Sequence, residues 1–174
     1  GTAERAVTFG DKGQAVLPNS VFADPEDNLL ALDGTGQWLA ASFSDGSLTV
    51  FSLEDSENDL VLFDTSDYTH FEGGFQGQYF AFSATSDTES VFAVIDLESM
   101  TQTGGFAGAR PFHVQADESG IYVCTDNILV RLHPVTGEQT EMAYTDADIT
   151  AFARSGDYTL TATDDGCCTF FDSG

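Results

Sequence analysis

GQWLAASFSDGSLTVFS, residues 36–52, is the stretch that decides the fold, because it predicts a β hairpin. Its pattern places one strand over residues 38–44, a turn at Asp45-Gly46 and a second strand over residues 47–52. An Asp-Gly pair between two apolar runs is a strong hairpin signal, since glycine adopts the positive φ that such turns need.

The same hairpin recurs three more times along the chain. The first strand of each hairpin begins with an aromatic residue two positions after a glycine: Gly36/Trp38, Gly77/Tyr79, Gly120/Tyr122 and Gly156/Tyr158. The turn aspartates follow at intervals of 42, 39 and 39 residues: Asp45, Asp87, Asp126 and Asp165. A period near 40 residues with several short strands per unit is typical of propeller blades.

Further extended segments complete each unit as a four-stranded meander. One strand is predicted before each hairpin, over 29–32, 70–75, 112–115 and 149–153, and one after the first three hairpins, over 60–63, 101–106 and 139–144. No helix is predicted, because no stretch of ten or more residues shows a helical apolar period free of glycine.

We therefore predict an all-β chain, a single β-propeller domain over residues 1–174 with four-stranded antiparallel blades. The blades are expected at about 28–68, 69–108, 109–146 and 147–174. The fourth unit lacks its own last strand. Residues 1–27 are expected to act as a closure segment, with 5–9 supplying that strand.

A β-sandwich is the alternative fold, since it also has short strands at similar spacing. Strands of a sandwich usually alternate between apolar and polar residues, because one face of each sheet is exposed to water. Here Phe92 and Val94 point to one side of a strand and Ala93 and Ile95 to the other. Strands that are apolar on both faces favour blades packed between neighbouring blades.

Residues 36–52 and 155–172 resemble the second half of a WD-type repeat, in which a Gly-led strand, an Asp-Gly turn and a Trp-Asp dipeptide follow in order. The dipeptide positions hold Phe51-Ser52, Ile95-Asp96, Leu132-His133 and Phe171-Asp172, so no unit has the tryptophan. The chain is therefore similar to divergent WD-like propellers of bacterial surface and secreted proteins. The resemblance implies a scaffold role and a location outside a bacterial cell or on its surface, although a cytoplasmic location stays open.

Four units allow three interpretations of the blade count, since propellers have about four to eight blades. The chain is a closed four-bladed ring, half of an eight-bladed ring completed by a second copy, or a piece of a longer propeller. An open arc would expose apolar blade faces or edges, and such faces need a partner. A homodimer is the expected consequence of the open forms.

The charge restricts the classes of partner. The chain carries 29 acidic residues against five basic ones, a net charge of −24. We expect no nucleic-acid partner, because phosphate contacts depend on Lys and Arg. Membrane insertion is not expected either, because no apolar run approaches the ~18 residues of a spanning helix. A basic partner, a multivalent cation and simple solubility are the remaining explanations of the charge.

Cysteine and histidine give no metal or disulfide pattern. Adjacent Cys167 and Cys168 point to opposite sides of a strand, which does not suit a disulfide between them. We interpret both, together with Cys124, as small buried hydrophobic residues. The three histidines, His70, His113 and His133, lie in different units without metal-ligand spacing, so no metal residue and no cofactor are assigned.

The turn aspartates Asp45, Asp87, Asp126 and Asp165 form a candidate acidic face, because the same turn of every blade emerges on one side. Such a face suits a hard cation or a basic partner, although aspartate is also favoured in turns for local hydrogen bonding.

No catalytic residue is assigned. The leading hypothesis is a non-enzymatic scaffold or binding module that presents loops to a protein or carbohydrate partner. The alternative is a hydrolase or lyase that uses acidic residues near the central channel.

Overall fold

The computed structural model describes residues 8–9, 15–16, 28–53, 59–63 and 67–172. These residues form seventeen β-strands and no helix, which confirms the all-β class. None of them forms a helix that could span a membrane. Two short strands, β1 (Thr8–Phe9) and β2 (Ala15–Val16), pair with each other and precede the repeats.

The other strands form four consecutive antiparallel sheets, each a meander in which neighbours along the chain pair. Sheet 1 contains β3 (Asn28–Leu32), β4 (Trp38–Ser42), β5 (Leu48–Ser52) and β6 (Leu60–Phe63). Sheet 2 contains β7 (His70–Gln76), β8 (Tyr79–Thr85), β9 (Ser90–Asp96) and β10 (Thr101–Gly108). Sheet 3 contains β11 (His113–Asp117), β12 (Gly120–Thr125), β13 (Ile128–Leu132) and β14 (Gln139–Tyr144). Sheet 4 contains β15 (Ile149–Ser155), β16 (Tyr158–Thr163) and β17 (Cys168–Asp172).

The hairpin of residues 36–52 forms as predicted, with a wider turn. The Phe43 N–H donates to Ser47 O and the Gly46 N–H to Phe43 O, both at 2.9 Å. Gly46 has φ +86°, so the turn uses the left-handed conformation that glycine tolerates. The first strand therefore ends at Ser42 rather than at the predicted residue 44.

Apolar side chains pack between each sheet and the next. Sheet 2 is covered on both faces: Phe80 and Phe82 pack toward sheet 1, whereas Ala81 and Phe92 pack toward sheet 3. A third cluster, which includes Tyr122, joins sheets 3 and 4. This arrangement confirms the prediction of strands that are apolar on both faces, and it excludes a two-layer sandwich.

Sheet 4 differs from the other three because it has only three strands among the described residues. The segment 5–9 was expected to complete it. The described part of that segment, Thr8–Phe9, pairs with Ala15–Val16, and residues 5–7 lie outside the described residues. No other described strand pairs with the far edge of β17.

Two of the three cysteines correct the sequence interpretation. Cys124 is buried as expected, whereas Cys167 and Cys168 are exposed, and all three are free thiols. Burial was expected because free cysteine commonly acts as a small buried hydrophobic residue. The outer face of sheet 4 is uncovered, however, and the turn that contains Cys167 is open to solvent.

Candidate functional site

The first strands of the four sheets meet at one cavity of about 520 Å³, which corresponds to the central channel of a propeller. Each sheet contributes lining residues: Leu30 from β3, Glu72 from β7, His113 from β11 and Phe152 from β15. The chain thus brings four segments about forty residues apart to a common axis.

Glu72 is the centre of the polar contacts in this cavity. Its Oε1 accepts hydrogen bonds from His113 Nδ1 at 2.9 Å and from His70 Nε2 at 3.2 Å. Its Oε2 accepts the Val114 N–H at 2.9 Å. Since His70 and Glu72 lie on β7 and the other two residues on β11, one carboxylate joins sheet 2 to sheet 3.

These contacts determine the charge state of Glu72. Desolvation raises its pKa, but the hydrogen bonds from His113, Val114 and His70 outweigh that effect and lower the pKa below the ordinary value. Glu72 is therefore a carboxylate at neutral pH and does not serve as a general acid there. Because a carboxylate oxygen can only accept, His113 donates its Nδ1 hydrogen to Glu72, and the Nε2 atom of that ring takes no part in this contact.

A glycine permits the close approach of β7 and β11 that this contact needs. A Cβ atom on Gly74 would lie 2.5 Å from Ala116 O and 2.9 Å from Ala116 N, both backbone atoms of β11. Any larger residue would force the two first strands apart.

Cys124 lies near this cluster but has no role as a nucleophile. Burial raises the pKa of its thiol to about 12, with a further contribution from the negative charge of Glu72. A thiol that stays protonated at neutral pH is unreactive.

The candidate acidic face is found where the topology predicts it. Asp45, Asp87, Asp126 and Asp165 each lie in the turn between the second and third strands of one sheet, and all four are exposed. We call this end of the molecule the turn face, defined by these four residues. The turns that connect first to second strands and third to fourth strands form the opposite end.

Two of the four aspartates stabilise their own turns. Asp45 Oδ1 accepts hydrogen bonds from Ser47 N and Oγ at 2.9 and 2.6 Å. Asp165 Oδ1 accepts them from Cys167 N at 3.1 Å and Thr163 Oγ1 at 2.6 Å. Because these bonds favour the ionised carboxyl, the pKa of each aspartate lies below its ordinary value. Both carboxylates therefore keep their negative charge at the surface.

Among the described residues, Asp126 is the one aspartate of the turn face that forms an ion pair. Arg110 Nη1 lies 2.8 Å from Asp126 Oδ1 and also contacts Asp148. Among the described residues, no group of three or more His, Cys, Asp or Glu side chains has the geometry of a metal site. The turn face thus offers separated carboxylates rather than a cluster that encloses an ion.

A groove of about 700 Å³ lies at the opposite end, between sheets 2 and 3. Tyr79, Arg131 and His133 line it. His133 Nδ1 accepts the backbone N–H groups of Val135 and Thr136 at 3.2 and 3.3 Å. Asp96 makes the equivalent turn contacts in sheet 2, so His133 replaces an aspartate as a turn-stabilising acceptor.

Glu72 was not predicted as a site residue, and the three histidines were treated as unrelated. One signal was available. His70 and His113 each lie seven residues before the glycine that opens their hairpin, Gly77 and Gly120, so they occupy the same repeat position. Equivalent positions on first strands face the same axis, and two histidines there indicate a shared site.

The fold of this chain is similar to that of several solved structures, including the three that follow. No protein-family model and no curated protein matches the chain. The β-propeller domain of Cps50 (Swd1) from Myceliophteria thermophila has a TM-score of 0.57 at 14% identity, over 83% of this chain and 51% of that one. BamB from Moraxella catarrhalis has a TM-score of 0.56 at 15% identity, over 86% and 48% of the two chains. The computationally designed Ika4 protein has a TM-score of 0.56 at 14% identity, over 84% and 92%.

The chain therefore spans about half the length of the Swd1 and BamB structures. At such low identity the likeness concerns the fold alone. Together with the four antiparallel sheets arranged around one cavity, it shows that the chain has a β-propeller-like fold, which hydrogen bonds do not close into a ring within the described residues.

Proposed function

We propose that this chain is a non-enzymatic binding module that presents its turn face to a protein partner carrying positive charge. The observation that carries the proposal is the set of four exposed aspartates, one on the same turn of each sheet. A rigid array of like charges attracts an oppositely charged segment over a distance and orients it before contact.

The hydrogen bonds of this face support the proposal. Those of Asp45 and Asp165 come from neutral backbone and hydroxyl groups, so they fix the turn without cancelling the charge. Arg110 offsets part of the charge near Asp126. The face therefore remains acidic, and hydrogen bonds fix two of its four turns, which limits the entropy lost on binding.

The test is binding of a fluorescent peptide of about twelve residues, rich in lysine and arginine, measured by anisotropy. A variant with Asp45→Asn, Asp87→Asn, Asp126→Asn and Asp165→Asn removes the charge but keeps an acceptor in each turn. A matched control removes four charges from the opposite end, where all four residues are exposed: Glu98→Gln, Glu118→Gln, Asp157→Asn and Glu138→Gln.

We expect the turn-face variant to bind the peptide about tenfold more weakly than the control variant. Binding should also weaken between about 50 and 300 mM NaCl, because the charges involved are exposed. Equal losses in the two variants would show attraction by net charge alone and would contradict the proposal. A carbohydrate partner would instead bind with little dependence on salt.

The resemblance to surface and secreted propellers supports a location outside a bacterial cell or on its surface for such a module. Fractionation of the source cells with an antibody against the chain would test that location. Recovery in the cytosolic fraction would contradict it.

The cavity at the axis favours a second candidate function, a hydrolase or lyase. Glu72 holds Nδ1 of His113, an arrangement in which the imidazole can act as a general base. Among the described residues that line the cavity, Glu72 is the single carboxylate, so this candidate does not include an acid–base pair of carboxylates. Its test is hydrolysis of ester and glycoside substrates by wild type and by His113→Gln. Activity lost in that variant but retained in Glu98→Gln would support the candidate, whereas no activity in wild type would contradict it.

A further inference from the structure

The groove between sheets 2 and 3 has the size of a small-molecule site. Its volume of about 700 Å³ falls within the range of about 300–1,000 Å³ that such sites occupy. Three turns border it, and they contribute Gly77 and Gln78 from β7–β8, Glu118 from β11–β12, and Pro134 and Val135 from β13–β14. A groove that is bordered by three turns suits a compact ligand better than an extended chain.

Tyr79 provides an aromatic surface in this groove. Its side chain packs against the apolar cluster between sheets 2 and 3 and is half-buried. Tyr122 occupies the same repeat position in sheet 3, but it is buried, and the guanidinium carbon of Arg154 lies 3.8 Å from the centroid of its ring. Tyr79 instead borders open space. An aromatic ring in that setting can stack against the apolar face of a ligand.

Gln76 offers a hydrogen-bond acceptor that the folded chain does not use. The register pairs Gln76 with Tyr79, so both side chains lie on the face of sheet 2 that packs toward sheet 3. The Oε1 atom of Gln76 is buried and has no hydrogen-bond partner among the described residues. A buried acceptor without a partner costs free energy in the folded state. A ligand group that donates to this oxygen would remove that cost.

His133 adds a hydrogen-bond donor to the groove. Because its Nδ1 atom accepts the Val135 N–H, the hydrogen of the neutral ring lies on Nε2, which can donate. The groove thus contains both an acceptor and a donor. This combination suits hydroxyl groups, since each hydroxyl can donate and accept.

The charges that line the groove argue against an ionic ligand. Glu118 and Glu138 are opposed by Arg131, so the described lining carries two carboxylates and one guanidinium. A phosphate would meet two like charges, and an amine would meet the guanidinium. This near balance is local, because the whole chain has a net charge of −24. It favours a neutral ligand.

We infer that the groove binds a short neutral saccharide, with one sugar ring on Tyr79 and hydroxyl groups at Gln76 and His133. A pyranose ring has an apolar face of C–H groups and an edge of hydroxyl groups, which match the aromatic ring and the polar side chains. The inference goes beyond the proposed function, because the groove lies at the opposite end from the turn face and shares no residue with it.

Isothermal titration calorimetry and saturation-transfer NMR test the inference with maltose, cellobiose, lactose and N,N′-diacetylchitobiose. Glucose 6-phosphate and the neutral peptide acetyl-tetraalanine amide are the comparison probes. We expect at least one disaccharide to bind with the same affinity at about 50 and 300 mM NaCl, because the contact pairs no charges. The turn-face variant should bind it as wild type does. The inference would be overturned if no disaccharide bound, or if the groove took only the peptide or the phosphate.

Val135→Arg should block the groove, because the longer side chain would occupy it. Val61→Arg in β6 is the matched control, since these two valines are 60% and 59% exposed. Both variants should therefore melt like wild type. We expect no detectable disaccharide binding in Val135→Arg and wild-type affinity in Val61→Arg. Equal affinities in the two variants would contradict the site.

Gln76→Leu separates binding from structural support. Because the Gln76 Oε1 atom has no partner in the described chain, the variant should melt at or above the temperature of wild type. It should nevertheless bind the disaccharide about three- to tenfold more weakly, the value of one neutral hydrogen bond. Tyr79→Phe should retain most of the affinity, whereas Tyr79→Leu should lose it. Unchanged affinity in both Gln76→Leu and Tyr79→Leu would overturn the inference.

Discussion

Glu72 is the residue through which two sheets are joined at the axis. One of its oxygens accepts two histidine N–H groups and the other a backbone N–H. An ionised group in a hydrogen-bonded, partly buried position is costly to leave without partners. The residue therefore links the charge state of the cavity to the stability of the fold.

Replacing Glu72 with glutamine should lower the free energy of unfolding at pH 7 by about 1–3 kcal/mol, since hydrogen bonds to a charged acceptor are lost. The folded pKa of Glu72 lies below that of the unfolded chain, so its contribution is present above about pH 4.5, the ordinary value, and is lost as the pH falls through the folded pKa. The difference between wild type and Glu72→Gln should thus shrink below pH 4.5. Urea unfolding from pH 7 to pH 3 measures it, and Glu98→Gln at an exposed site is the control.

His133 shows that one turn position accepts two chemically different residues. Asp96 and His133 both accept N–H groups two and three residues ahead, one through a carboxylate and the other through an imidazole nitrogen. His133→Ala should cost about 0.5–1.5 kcal/mol, the net value of a typical hydrogen bond. His133→Asp should retain most of the stability. Urea midpoints compare the two, and equal losses would mean that the acceptor has no effect.

At the scale of strands, the contact between β7 and β11 depends on the absence of a side chain. A Cβ atom at position 74 would meet backbone atoms of Ala116, which cannot move like the end of a flexible side chain. The first strands would have to separate, and the contact from Glu72 to Val114 would lengthen with them.

Gly74→Ala should therefore destabilise the protein by about 1–3 kcal/mol through overpacking. Gly104→Ala in β10 is the control, because a Cβ atom there has no neighbour within 4 Å. That variant should be close to neutral. Thermal unfolding followed by the fluorescence of Trp38 compares them, and similar melting temperatures for the two variants would refute the argument.

The elements themselves were predictable because each hairpin has a local signal. Gly46 and Gly166 have φ near +85°, as the Asp-Gly pairs indicated. The width of the turn could not be predicted, because a wider turn uses the same residues and differs only in which N–H donates to which carbonyl oxygen.

The candidate site was missed for a different reason. Glu72 and His113 meet only through the packing of sheet 2 on sheet 3, which no local pattern encodes, and the one available signal, the shared repeat position of His70 and His113, does not include Glu72.

At the scale of the whole molecule, the charge of −24 opposes compactness. Most of the described acids lie at the two ends of the sheets, and the described arginines are Arg110, Arg131 and Arg154. Self-repulsion of this kind destabilises the folded state and is screened by salt.

The melting temperature should therefore rise between about 20 and 300 mM NaCl and then level off, as the Debye length falls below the spacing of the charges. Differential scanning fluorimetry measures the curve. The turn-face variant and its opposite-end control should both show a smaller rise, because each carries four fewer charges. A melting temperature that is independent of salt would show that repulsion contributes little.

The far edge of β17 has a consequence for protein engineering. Among the described residues, sheet 4 has three strands beside three sheets of four, and no strand of this part of the chain pairs with the far edge of β17, so one more strand can be added there. A copy of the β14 segment, QTEMAY, grafted after a short linker should pair there, because the same segment already follows the third strand of sheet 3. The scaffold can thus be lengthened one strand at a time, with each addition guided by the repeat that precedes it.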